Sequence, residues 1–545
     1  MASNLFQTKP LKMLLAEMEG ENRLHRVLGP VQLSALGVGA IIGTGIFILT
    51  GEAAHDRTGP ALMLSFVVAG LACVFAALCY AEFASMVPVA GSAYTYAYAT
   101  LGELFAWIIG WDLVLEYAVG SATVAHGWSA HFQEFIPLFG LDKYLPAVLA
   151  KGPFDYCVNA GGAGCPHAGF VSTGAYFDLP AVLITFILTI VLVKGIKESA
   201  SFNAVMVAIK LIIVLMVIGI GAFYINTANW HPFAPFGYTG ISFFGHTLSG
   251  QTSPNGQPLG MFAGAAIIFF AYIGFDSVSV HSEEARKPAR DVPIGIIVSL
   301  IICTILYIAV SAVLTGMVPT HEINKDAAVV DAFKRVGLTW MQYLVAAGAM
   351  TGITSVLLVM MLSQPRVMLA LARDGLVPKS FFGDIHPKFR TPWKSTILTG
   401  IFVACMAGFL PLTLLAEMTN IGTLFAFVIV CAAVLVMRRT NPDAKRPFRA
   451  PFVPLVPILG ILTCLLLMFS LPVENWWRLI IWLLIGFVIY FLYGRKHSVM
   501  AKDRAAGHLA HELAAHGVGG QAVGDPDAPP SSPAAPIDSR VKKDD

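Results

Sequence analysis

The sequence predicts an all-α polytopic membrane protein with twelve membrane-spanning helices. Three observations carry that reading. The 545 residues are 56% hydrophobic and only 12% charged, about half the charge of an average soluble domain. Apolar stretches of about 20 residues, enough to cross a bilayer, recur at 31–50, 61–87, 101–125, 178–194, 202–224, 260–281, 293–318, 339–364, 395–410, 412–437, 452–471 and 476–494. They are numbered one to twelve below. With residues 1–30 in the cytoplasm, the inner loops hold about four times as many Lys and Arg as the outer ones. An even number of spans then places both termini in the cytoplasm.

The expected organisation is a cytoplasmic N-terminal segment (1–30), a transmembrane body (31–494) and a cytoplasmic tail (495–545). The tail is rich in Gly, Pro, Ala and Asp and reads as largely disordered. Its histidines, His508, His511 and His516, read as solvated. Segment one is full length and ends without a cleavage site, so the N-terminus is expected to be retained.

Segment one contains LGVGAIIGTGIFILTG, Leu36 to Gly51. Gly37, Gly39, Gly43 and Gly45 each weaken a helix by about 1 kcal/mol relative to alanine. Two readings compete. Small residues let a neighbouring helix approach closely. Alternatively the helix breaks at the midplane: freed amides then suit a carboxylate and freed carbonyls an ammonium group, the two ends of an α-amino acid backbone.

In segment three, Asp112 and Glu116 share one helix face at i,i+4. The loop that follows contains CVNAGGAGC, where Cys157 and Cys165 are a disulfide candidate on an oxidising exterior. With only His167 nearby they fall short of a four-ligand metal set, and no metal is expected. The other six cysteines lie in apolar segments as packing residues.

Segment five carries Lys210 at mid-depth, in NAVMVAIKLIIVLMV. A lysine there costs several kcal/mol unless paired or neutral, which makes it a functional candidate. The alternatives are a permanently charged structural lysine or a snorkelling one, and its central position opposes snorkelling. Segment six, five segments after the first, holds FFAYIGFD with Gly274 before Asp276. A second, weaker break in that position fits an inverted repeat. Segments one to five (about 31–224) and six to ten (about 260–437) form the halves, with eleven and twelve (about 452–494) appended. Glu82, Asp276 and Glu417 read as helix-fixing acids, Asp276 being the best placed for gating. Glu283 to Arg290 reads as a solvated turn. Arg366 and Arg373 read as positive-inside anchors, with an inner-gate ion pair beside Asp374 as the alternative. Segment eight is long, and its polar extension is expected to stay helical.

GAIIGTGIF (39–47), FFAYIGFDSVS (269–279), EEARKPARDVP (283–293) and QPRVMLALARDGLVPKSF (364–381) resemble the amino acid–polyamine–organocation superfamily. LAEMTNIGTLFAFVIVCAAVLVMRR (415–439) and RPFRAPFVPLVPILG (446–460) resemble its cationic amino acid transporter branch, in a bacterial-type form. The resemblance implies a LeuT-like fold and amino acid transport by alternating access. It implies that Ile41, Gly43, Thr44 and Gly45 receive the substrate carboxylate, and that carbonyls of Phe270, Ala271 and Ile273 hold the amine. Phe270 is a gate candidate, against ordinary packing. Glu116 contacts the amine through water or reads a cationic side chain, against a structural role. Lys210 falls where sodium-coupled relatives bind an ion, which implies proton symport. Met360 fills room that vertebrate cationic transporters leave open, implying small neutral substrates such as alanine over arginine, lysine or ornithine.

The expected ligand is a free L-amino acid, with the proton as coupling ion and no cofactor. Membrane lipid is the surrounding partner, nucleic acid is not, and a small single-pass accessory peptide is left open. The location is a plasma membrane, a bacterial inner membrane by resemblance. An enzyme is disfavoured, since there is neither HExxH nor a GxSxG elbow. A channel fits paired broken helices poorly. Amino acid exchange and a non-transporting amino acid sensor remain the alternatives.

Overall fold

The computed structural model describes residues 5–10, 26–43, 45–87, 89, 91–136, 145–157, 169–243, 246–252, 258–324, 328–471 and 473–502. Thr44, Cys165, the side chain of Cys157 and the tail from 503 lie outside the described residues. The chain forms two compact units, Met1–Ser498 and Val499–Asp545. The described part of the second, 499–502, is helical.

All twelve apolar segments are helical. Among the described residues, eight stretches are long and apolar enough to cross a membrane, from Thr50–Met86 to Val473–His497. Four shorter apolar helices, Pro30–Ile41, Leu179–Lys194, Trp393–Phe409 and Leu455–Phe469, account for segments one, four, nine and eleven. The protein is therefore an all-α polytopic membrane protein. Segment eight runs unbroken from Thr339 to Arg373, as its sequence led us to expect. Two helices lie in connections that hydropathy passes over, Ala93–Thr100 and Ala328–Arg335. The first, AYTYAYAT, is too short to read as a span, yet every residue in it is buried. Small antiparallel hairpins occupy the connections after segments three and five.

Packing is strongly paired. Segment two lies on seven, three on eight and four on nine. Segment one packs on seven and, reciprocally, six on two; five packs on eight and, reciprocally, ten on three. Segment eleven covers two and ten, and segment twelve lies against ten and the start of three.

Segments one and six are both interrupted. Pro30–Ile41 ends at Ile42, whose ψ of 103° leaves the helix, and the chain resumes as a π-helical turn at Gly45–Leu49. Segment six runs Met261–Ile268, tightens to a 3-10 turn at Phe269–Tyr272, then turns at Ile273–Asp276 before Ser277–Val280. Gly274 has φ +117°, a conformation that side chains other than glycine's rarely adopt. The two interruptions touch. A Cβ on Gly45 would lie 2.3 Å from the Ala271 Cα, and one on Gly274 would lie 2.8 Å from the Ala40 Cβ. Both readings of the glycines therefore hold: the helix breaks, and the glycines admit a neighbouring backbone.

Charged residues at the N-terminal-segment end correct one expectation. Glu283 and Glu284 are not in a solvated turn; both are buried. Glu284 accepts from Arg366 at 2.7 Å, and Glu283 pairs with Arg373 at 2.8 Å. The arginines are ion-paired, the alternative their sequence left open, with Glu284 and Glu283 rather than Asp374 as partners, because segment eight continues past the apolar limit and carries them back over the acids. Lys9 pairs with Asp374 at 2.5 Å, and Tyr94 donates to the other oxygen of that carboxylate. Elsewhere Glu82 binds Arg438 and Arg446, and Glu417 binds Arg478, so both acids do fix helices to neighbours.

Gly45→Ala is expected to destabilise by about 1–3 kcal/mol through overpacking, and Gly219→Ala, with nothing within 4 Å, to be neutral or slightly stabilising. Thermal unfolding of the two detergent-solubilised variants compares them directly. Arg366→Ala leaves Glu284 buried without its cation, at a cost of about 3–5 kcal/mol. The double variant Arg366→Met/Glu284→Gln should recover most of the lost transition temperature.

Candidate functional site

Breaking a helix inside lipid releases carbonyls that no water can satisfy. In segment one the released groups are Gly39, Ile41 and Ile42. The ammonium of Lys210, wholly buried, donates to Gly39 O at 2.9 Å, Ile42 O at 2.8 Å and Ser355 Oγ at 2.7 Å. An ammonium has three N–H donors and no acceptor, so this cradle is matched to the charged form. Full burial rules out snorkelling. The Ser355 hydroxyl in turn lies 3.0 Å from Gly39 O and 2.8 Å from Gly352 O.

Tyr307 of segment seven completes the set. Its buried hydroxyl lies 2.7 Å from Ile41 O and 2.9 Å from Ala271 O, so one group serves a carbonyl of each interruption. On the amide side, Gly43 and Gly45 N–H donate to no group among the described residues. Unpaired amides at a helix start suit an anion such as a carboxylate. The fit to an amino acid backbone therefore rests on those amides and on the carbonyls of Phe270 and Ala271 a few residues away in the facing break. Phe270 O already accepts from Ile273 N at 3.2 Å, and the Phe270 side chain is buried.

Segment eight lines the other side. Val356 meets Gly43, where a Cβ would come within 2.4 Å of Val356 Cγ2. One turn on, buried Met360 packs on segment three, its sulfur 3.5 Å from where a Gly120 Cβ would stand. Gly120 is one turn beyond Glu116, which sits in a π-helical turn, Leu115–Val119. Glu116 faces Asp276 and Thr423, while Tyr117 donates its hydroxyl to Asp276.

The structure thus gathers Ile41, Gly43, Gly45, Ala271, Ile273 and Lys210 at the paired breaks, with Glu116, Asp276 and Met360 on adjoining walls. Thr44, Cys157 and Cys165 cannot be placed with them, for they or their side chains fall outside the described residues. Sequence reading missed Tyr307 and Ser355. Each is a single hydroxyl in an apolar run, and only the position of the break reveals what it binds.

The profile of the amino acid permease family matches residues 28–491. The chain is 46% identical over 499 residues to the branched-chain amino acid permease BcaP of Bacillus subtilis, covering 91% of this chain and 99% of that one. It is 44% identical over 500 residues to the methylthioribose transporter of the same organism, covering 92% and 100%. It is 33% identical over 600 residues to the vacuolar cationic amino acid transporter 4 of Arabidopsis thaliana, covering 89% and 94%. The chain belongs to the amino acid permease family of the amino acid–polyamine–organocation superfamily and is a multi-pass membrane transporter of amino acids, not an enzyme.

Proposed function

We propose that this chain is a secondary active transporter that takes up small neutral L-amino acids by proton symport, through alternating access. The observation that carries the reading is the Lys210 cradle at the meeting of two helix breaks. Loss of one proton leaves the amine with two donors for three acceptors. The break in segment one then loses a tie, which links protonation to the shape of the site. In this reading Gly43, Thr44 and Gly45 amides, with Ile41, receive the carboxylate. Carbonyls of Phe270, Ala271 and Ile273 hold the amine, with Glu116 acting on it through water. Phe270 and Asp276 act as gates.

The fold we assign is a LeuT-like 5+5 inverted repeat, 31–224 and 260–437, with two further helices and twelve spans in all. The reciprocal packing supports it: exchanging each segment for the one five later turns one–seven into six–two and five–eight into ten–three. The Lys and Arg distribution supports cytoplasmic termini (1–30 and 495–545). Two Bacillus relatives of nearly full coverage support a bacterial cell membrane.

Neutral substrates are supported by Met360, whose side chain occupies the space beside Gly120, and by a relative named for branched-chain amino acids. Alanine and valine are therefore the substrates to test. The Arabidopsis relative, named for cationic amino acids, makes arginine the competitor to run beside them.

In sodium-free proteoliposomes, an inward proton gradient should raise alanine or valine uptake several-fold, and Lys210→Ala should reduce it to background. Uptake unchanged in that variant removes the coupling role. Excess arginine should leave wild-type uptake intact, and Met360→Ser should make it arginine-sensitive. Strong arginine competition in the wild type would overturn the neutral assignment.

A further inference from the structure

A second set of buried polar atoms lies beside the break and is not accounted for by Lys210. Glu116 and Asp276 are fully buried and face one another across segments three and six. Tyr117 donates to Oδ2 of Asp276. Oδ1 of Asp276 and both carboxyl oxygens of Glu116 have no donor. The groups around them are Asp112 and Tyr117 from segment three, Cys73 and Tyr80 from segment two, Tyr96 from the Ala93–Thr100 helix, and Thr423 from segment ten. Among the described residues neither carboxyl has a lysine, arginine or histidine partner. Glu116 reaches this position from a π-helical turn, whose extra residue re-aims a side chain that a regular helix would present elsewhere.

Two facing carboxylates in a dry, cation-free site cannot both be ionised. One proton between them turns an unpaired acceptor into a donor and gives oxygens of both groups a partner. We propose that Glu116 and Asp276 hold a single shared proton, forming a proton-binding site separate from Lys210 that fastens the inner half of segment six to segment three. Asp276 directly precedes the helix Ser277–Val280, which leads through Ser282–Glu284 to the buried pairs with Arg366 and Arg373. Removing the proton leaves two like charges across that contact and drives this half-helix from segment three. The site stands whether or not Lys210 couples transport.

Infrared spectroscopy of the purified full-length protein tests it, at neutral pH in sodium-free water and heavy water. The wild type should show a protonated-carboxyl stretch that shifts in heavy water. Glu116→Gln and Asp276→Asn should each abolish the same band completely, because one proton serves both groups. A band that survives one of the two substitutions, or two bands each lost in only one variant, would mean separate protons and overturn the proposal. Asp112→Asn should leave that band in place. Its loss there would assign the proton to Asp112 instead. The wild type also carries a test that needs no variant. The band should disappear in one alkaline step and be indifferent to replacing choline by sodium, whereas its loss in sodium would make the pair a metal-cation site.

Discussion

The fold is organised by one constraint: a helix that breaks in lipid must have its released carbonyls satisfied by protein. Segments five, seven and eight each contribute a donor to that task, from Lys210, Tyr307 and Ser355. Their placement fixes which helices surround segment one, and so which faces must be apolar, small or polar. Segment six is drawn into the same arrangement because Tyr307 serves Ala271 as well as Ile41. The close approach of Gly45 to Ala271 then leaves no slack between the two interruptions. A displacement of either half-helix must be taken up by the other or by the hydroxyl that joins them.

Much of this was legible in the sequence, and for identifiable reasons. Membrane spans announce themselves by length and hydropathy, and a lysine in the middle of one is conspicuous because its burial is costly. The break in segment one was visible as glycine density. That of segment six was faint, because its turn uses a single glycine, Gly274, at positive φ. Tyr307 and Ser355 were invisible as site residues, since hydroxyls in apolar helices usually satisfy themselves on their own helix, as Ser363 and Thr419 do here. Glu283 and Glu284 misled for the opposite reason: a charge-rich run reads as solvated unless its partners, far along the chain in segment eight, are known. Glu116 and Asp276 were noticed one at a time, and only the fold brings them face to face.

The acids of the body differ in what they meet. Glu82, Glu283, Glu284, Asp374 and Glu417 each meet a cation at 2.5–2.8 Å. Such pairs add little net stability when buried, because desolvation offsets the attraction. They do penalise any arrangement that separates them, which suits contacts that must hold in one conformation and part in another. Glu103 is buried among the hydroxyls of Tyr98, Tyr490 and Ser498, whereas Asp112, Glu116 and Asp276 are buried with oxygens that no group among the described residues meets.

The contact between Lys9 and Asp374 joins residues 365 positions apart. In a chain made from its N-terminus at about 5–20 residues per second, tens of seconds separate the appearance of the two partners. Residues 5–10 are therefore made long before their partner in segment eight and are among the last to be seated. Their main-chain bonds to the Tyr98 and Glu103 region become available much earlier. Assembly of this end of the molecule must proceed in two stages: docking onto the start of segment three, then locking only after segment eight has entered the bilayer.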